Sequence, residues 1–235
     1  MPNYFNPHGV VRSHLGHLPH WRQEGTMYFI TSRLGDSMPR EKLREWQQQR
    51  DAWLGEHGLA DVSQLETLPE AERHEFHATF TSRWHEWLDR GHGECHLRRP
   101  ELRALLIERI QALDGTACEL DAWVVMPNHL HVLVTPRGKT LGEVVRHWKG
   151  GSASDINRHL GRRGPLWQSE PYDHIVRSEA QRDHYRRYIA DNPIKAGLPE
   201  GDYACGFGKV AWASAQDFRA HVDDLIQREH DSSLG

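Results

Sequence analysis

The chain has 235 residues, 37% of them apolar, with 29 basic and 33 acidic side chains and a formal net charge of −4. That length suits one large domain, or a small one with decorations, and the longest apolar runs, such as 122–126, are too short to span a bilayer. Cys95, Cys118 and Cys205 are an odd number without C-x-x-C spacing, so neither a disulfide framework nor a zinc ribbon is indicated. The N-terminus lacks the basic start and apolar centre of a secretion signal, so a cytoplasmic protein with no membrane partner is expected.

Residues 1–25 are rich in His, Gly and Pro and read as an N-terminal arm. Alternation from Met27 to Leu34 predicts a first strand, closed by Asp36 to Pro39. Pro39–Gly58 and Pro69–Arg90 read as two charged helices carrying Trp46, Trp53, Trp84 and Trp87, the second broken at Gly91-His92-Gly93. Residues 36–98 thus form a helical insertion after the first strand. Pro100 opens an amphipathic helix whose Leu102, Leu105, Leu106, Ile110 and Leu113 recur at helical spacing. Strands follow at Ala117–Met126 and His129–Thr135, joined by a Pro127-Asn128 turn in which Pro supplies a preset φ. A helix from Leu141 to His159 is expected to be interrupted near Gly150-Gly151, and Tyr172–Val176 is a short strand. Ser178, with Gln181 three residues on, opens another helix. Pro193 should stop that helix near Asn192, since the α region is disfavoured before proline. A last helix near Ala215–Glu229 belongs to a C-terminal extension, 199–235. The order β-α-β-β-α-β-α over 26–198 predicts an α+β fold, a ferredoxin-like antiparallel sheet with helices packed on it.

His129 and His131 fall on one strand. Residues i and i+2 share a face and lie roughly 7 Å apart, so both imidazoles can reach one ion while Leu130, Val132 and Val134 pack the other way. Two imidazoles leave coordination positions open, as a catalytic metal site requires. Tyr188 and Asn192, at i and i+4, share a helix face. The amide oxygen is a hard ligand suited to Mg²⁺ or Mn²⁺, and the phenol is a possible nucleophile once activated. Each feature also has a plain structural reading: two half-buried histidines, a core tyrosine, an asparagine ending a helix. Their combination points to chemistry. Charge is also uneven. Residues 41–75 hold nine acidic and four basic side chains, whereas 136–163 hold seven basic and two acidic. The basic stretch fits a phosphate-binding face. Arg146, Lys149, Arg158, Arg162 and Arg163 are candidate phosphate contacts. Trp148 and Trp167 are candidates to stack on unpaired bases, although Trp148 also fits core packing.

The ordered series Trp123-Val124-Val125-Met126-Pro127-Asn128-His129-Leu130-His131-Val132-Leu133-Val134, Trp148-Lys149, Leu166-Trp167-Gln168, Tyr172-Asp173-His174-Ile175 and Tyr188-Ile189-Ala190-Asp191-Asn192-Pro193-Ile194-Lys195-Ala196-Gly197-Leu198 resembles the single-tyrosine transposases with a His-hydrophobe-His motif, most closely the REP-associated tyrosine transposases. Pro19-His20-Trp21 and Tyr28-Phe29-Ile30-Thr31 look like the family's opening. The resemblance implies that His129 and His131 are metal ligands, that Asn192 takes the third, helix-borne ligand position, and that Tyr188 is the nucleophile. It further implies cleavage and rejoining of single-stranded DNA at hairpin-forming palindromic repeats through a 5′-phosphotyrosine, by a monomer or homodimer. The 36–98 insertion is long for the family, and Ser169-Glu170-Pro171 departs from a stretch that is more basic or aromatic in many relatives.

Rival readings stay open. Tyr185 is an alternative nucleophile, though only Tyr188 has the Asn-Pro ending at the family spacing. A histidine-triad hydrolase needs a third histidine where Leu133 stands. A zinc peptidase needs an i, i+4 pair that His74-Glu75-Phe76-His77 lacks. A domesticated, non-catalytic hairpin-binding protein is the reading from a different functional class.

Overall fold

The alternation at 27–34, 117–126 and 129–135 becomes three neighbouring strands at the centre of one sheet. The computed structural model describes residues 4–10, 12–15, 19–82 and 92–233. In chain order the elements are β1 (Arg12–Leu15), β2 (Pro19–Arg22), β3 (Tyr28–Arg33), α1 (Arg40–Glu56), α2 (Glu70–Phe76), α3 (Pro100–Gln111), β4 (Cys118–Val125), β5 (His129–Pro136), α4 (Leu141–His159), β6 (Tyr172–Ile175), α5 (Glu179–Lys195), β7 (Ala204–Phe207), β8 (Val210–Trp212) and α6 (Ala215–Ser233). The main sheet runs β6-β3-β5-β4-β7-β8, antiparallel throughout. Its first four strands carry the ferredoxin-like order expected from the sequence.

The sheet separates two apolar layers. Tyr28, Ile30, Leu130, Val132 and Val134 pack with Leu102, Leu106 and Ile110 of α3 and Val144, Trp148 and Ile156 of α4. Phe29, Val124 and Leu133 pack on the opposite side with Ile189 and Ala190 of α5 and Phe218, Val222 and Ile226 of α6. Strand alternation therefore directs His129 and His131, in phase with Leu133, to the α5 side.

Several expectations are refined. The arm contains a two-stranded hairpin, β1 with β2. Residues 199–235 add more than a helix, because β7 pairs with β4 and β8 with β7. The helical reading of 69–90 holds for α2 and a π-helical turn over His77–Ser82; Trp84, Trp87 and Gly91 lie outside the described residues. Trp53, Leu54, Leu65, Phe76 and Phe80 give the segment 36–98 an apolar cluster of its own. α4 is unbroken at Gly150-Gly151. A Cβ at Gly151 would stand 2.9 Å from Arg109 Cδ, so the glycine there lets Arg109 cross the helix and bind Asp155 at 2.6 Å. α5 begins as expected, with Ser178 Oγ accepting from Gln181 N at 3.2 Å. It runs through Pro193 to Lys195. Proline there forfeits one bond in the last turn, while burial of Pro193 beside Asn192 keeps the turn helical.

A buried ion cluster fastens α5 to the sheet and to α6. The β4–β5 register shifts between Leu120 and Trp123, and Asp121, inside this bulge, grips Arg186 through Nε at 2.8 Å and Nη2 at 2.6 Å. Glu229 of α6 accepts from Arg186 at 2.7 Å and Arg182 at 2.6 Å. Burial alone would lower the Arg186 pKa, but the bonds and charges of Asp121 and Glu229 hold it above its ordinary value. Removing one partner of such a pair leaves an uncompensated buried charge. Asp121→Ala should therefore lower the unfolding free energy by about 3–5 kcal/mol, read by urea denaturation; a loss like that of a surface pair, below about 1 kcal/mol, would refute the role given to this cluster.

Candidate active site

β5 pairs with β3 so that Thr31 stands opposite His131 and Arg33 opposite His129. Cross-strand partners share a face, and each imidazole is held at Nδ1 by a close neighbour. Thr31 Oγ1 lies 2.8 Å from His131 Nδ1, and Asn128 Oδ1 lies 2.7 Å from His129 Nδ1. With the amide oxygen accepting, His129 carries its proton on Nδ1 and keeps the Nε2 lone pair for a ligand. Asn128 is fixed in turn, its Nδ2 donating to the carbonyl of His92 at 3.0 Å. The segment before α3 thus buttresses the turn before the histidines, as does the bond from Leu97 N to Pro127 O, 3.0 Å.

Both histidines are fully buried. Their ring centroids are 4.7 Å apart, and the Tyr188 ring meets His131 edge-on at 5.2 Å. Phe29 supports the group, stacked on His131 at 5.4 Å and edge-on to Tyr188 at 5.7 Å. The Nε2 atoms of both histidines, Tyr188 Oη and Asn192 Oδ1 are all buried. Asn192 Oδ1 has no hydrogen-bond partner among the described residues, a costly state unless a ligand completes it. Tyr185 lies flat on Phe29 at 4.3 Å, and burial raises its pKa strongly. Its ring is a wall of the site, whereas Tyr188 touches the imidazole.

Two imidazoles and an amide oxygen are neutral donors that fit a divalent cation with open positions. Among the described residues no cluster of three His, Cys, Asp or Glu side chains is suited to a metal. The compensating charge would have to come from a bound anion, as when a cation is held jointly by protein and substrate phosphate.

The candidate nucleic-acid residues divide. Trp148 is 1% and Trp167 6% exposed, and Trp167 Nε1 donates to Ser152 Oγ at 3.1 Å. Both rings belong to the core and present no stacking surface, so the expectation of base stacking is corrected. Arg146, Arg158 and Arg163 are exposed, with Arg158 3.4 Å from Asp155. Arg162 donates to His96 Nε2 at 2.9 Å. Lys149 Nζ donates to the carbonyls of Gln168 and Ser169 at 2.6 and 2.9 Å. These cations sit on the α4 side, opposite the histidines. Gln168 links the two sides, since its N–H donates to Arg33 O at 2.9 Å at the end of β3. Sequence reasoning overlooked Thr31 and the side-chain role of Asn128. The signal for Thr31 was its alternation with Phe29 on the strand beside the histidines.

Part of the chain is similar to known transposases. The family model "Transposase IS200 like" matches residues 99–192. An uncharacterized protein of Haemophilus influenzae is 30% identical over 98 residues, covering 32% of this chain and 54% of that protein. The REP-associated tyrosine transposase of Escherichia coli K12 is 28% identical over 115 residues, covering 43% of this chain and 67% of the relative. A solved structure of a REP-associated tyrosine transposase bound to a REP hairpin aligns with TM-score 0.42 and 19% identity over 80% of this chain and 78% of that one. The chain thus spans about half of the first curated relative and two thirds of the second. No helix among the described residues is long and apolar enough to cross a membrane. Residues 99–192, which hold both strand histidines, Tyr188 and Asn192, are thus the part of the chain that is similar to the IS200-like transposases.

Proposed function

We propose that this protein is a DNA strand transferase that cuts and rejoins single-stranded DNA at hairpin-forming repeats, with Tyr188 as nucleophile. The observation that carries the reading is the contact of the Tyr188 ring with His131, 5.2 Å between centroids, on a face where two imidazoles are oriented in advance. His129, His131 and Asn192 would hold Mg²⁺ or Mn²⁺, which when bound polarises the scissile phosphate and favours departure of its 3′ oxygen.

The rest falls to side chains. Tyr188 Oη gives up its proton to water and attacks phosphorus. The new O–P bond leaves a 5′-phosphotyrosine as the P–O3′ bond breaks, and the departing 3′ oxygen takes a proton. Reversal by a 3′-hydroxyl releases the tyrosine, so the phosphodiester energy is conserved and no nucleotide cofactor is consumed. Thr31 and Asn128 fix the ring orientations, which lowers the reorganisation needed on binding. Helix α5 holds the phenol in position through its Arg186 anchor. Incubation with an end-labelled hairpin strand and Mn²⁺ tests the proposal: a denaturant-resistant protein–DNA adduct is expected. A mobility shift without any adduct would instead favour a hairpin-binding protein, and cleavage without adduct a hydrolase.

A further inference from the structure

Helix α4 ends in a loop, 160–165, that reaches across to the segment before α3. Arg162 N donates to Asn157 O and Asn157 Nδ2 to Gly164 O, both at 2.9 Å, which ties the loop to the helix end. The Arg162 guanidinium then lies between two acceptors, His96 Nε2 at 2.9 Å and Pro165 O at 3.3 Å. A guanidinium has no acceptor of its own, so the imidazole must accept, and His96 is neutral with its proton on Nδ1. Both acceptors are uncharged, and neither offsets the charge of Arg162. Arg163, next in the loop, and Arg99, three residues on from His96, are exposed and add two more cations. Resting on the single-stranded DNA reading above, we propose that His96 and Arg162 form a proton-gated site for one backbone phosphate of the bound strand, with Arg99 and Arg163 at its rim.

A phosphate can replace this contact at a gain, because a guanidinium binds an anionic oxygen more strongly than a neutral acceptor. Once Arg162 turns to the phosphate, the Nε2 atom it leaves can take a proton from solvent and donate to the same anion. In the free protein, burial and the Arg162 charge hold the His96 pKa below its ordinary value. Asp36, from the segment after β3, and Glu94 act the other way, and Arg99 acts with Arg162. The Asp36 carboxylate is turned to the backbone, where Oδ2 accepts from Glu94 N at 2.9 Å. A phosphate beside the ring raises the pKa, so binding takes up a proton. The added affinity is complete below the free-protein pKa and is lost as pH rises through that of the complex. The placement gives the site a use. Leu97 N, one residue on, donates to Pro127 O in the turn before His129, so a phosphate held here ties the strand to the segment that supports the imidazoles.

The probe is end-labelled oligothymidylate, which carries no group that titrates near neutrality, with affinity read by filter binding at two pH values and several salt concentrations. The native chain should bind at least about tenfold more tightly at about pH 5.5 than at about pH 8, the effect of one anion on one histidine. His96→Gln keeps an acceptor for Arg162 but cannot titrate, so it should lose most of that gain with melting unchanged. Arg162→Gln should weaken binding at both pH values and lower the slope of log affinity against log salt by about 0.7, the loss of one phosphate contact on a single strand. That slope keeps the test decisive if His96→Gln melts early. A pH gain in a stable His96→Gln equal to the native one, or a native salt slope in Arg162→Gln, overturns the site. The Tyr188 adduct on a hairpin strand, read at saturation in the same proteins, separates the two failures. An adduct without these pH and salt effects removes only the phosphate site, whereas proton-coupled binding with no adduct in the native chain removes only the strand-transfer reading.

Discussion

Replacing Tyr188 with Phe is expected to abolish the covalent adduct and strand joining, with at least a ~10⁴-fold fall in rate, a loss of the size seen when an enzyme's nucleophile is removed. The hydroxyl alone disappears. The ring stays edge-on to His131 and Phe29, so melting temperature and hairpin affinity should be unchanged. Tyr185→Phe is the control. Tyr185 is stacked on Phe29, and burial drives its pKa up, which disfavours the phenolate a nucleophile needs. That variant should retain the adduct. An adduct that survives Tyr188→Phe and vanishes in Tyr185→Phe would reassign the nucleophile.

The second large effect concerns the imidazoles. His129→Ala and His131→Ala should each eliminate Mn²⁺-dependent cleavage, by about 10³-fold or more, since ligand loss removes both affinity and charge stabilisation. Hairpin binding should hold to within a few-fold, because the exposed cations Arg146, Arg158 and Arg163 lie on the other side of the sheet. Chelation of the metal should reproduce either variant in the native chain. Undiminished cleavage in either variant would sink the ligand assignment.

The strand pattern made the placement of the candidate residues legible in the sequence. Alternation at His129, His131 and Leu133 gave the face, and the i, i+4 spacing of Tyr188 and Asn192 gave its partner helix. What could not be read were contacts made by distant segments. Trp148 and Trp167 looked alike to a composition argument, yet only packing reveals that Trp167 reaches Ser152 across a loop. Gly151 resembled a helix break because the Arg109 side chain that occupies its vacant side comes from another helix. The β7–β8 hairpin carried a local signal, Gly208 with φ 52 at a two-residue turn, but its strands are too short for periodicity to speak. The site lies at mid-sheet because β3, β5 and α5 converge there, and convergence is a tertiary property.

The Arg182–Arg186–Glu229 cluster has a bearing on how the protein comes into being. During synthesis the tyrosine-bearing helix leaves the ribosome before α6 does. Until Glu229 arrives, two guanidiniums that are 4% exposed in the finished fold lack one of their acceptors, and water is the better host for them. The nascent helix should therefore lodge loosely and be open to protease, then become resistant once α6 docks. A chain ending at residue 213 that resists limited proteolysis within 179–195 as well as the full chain would contradict this order of maturation.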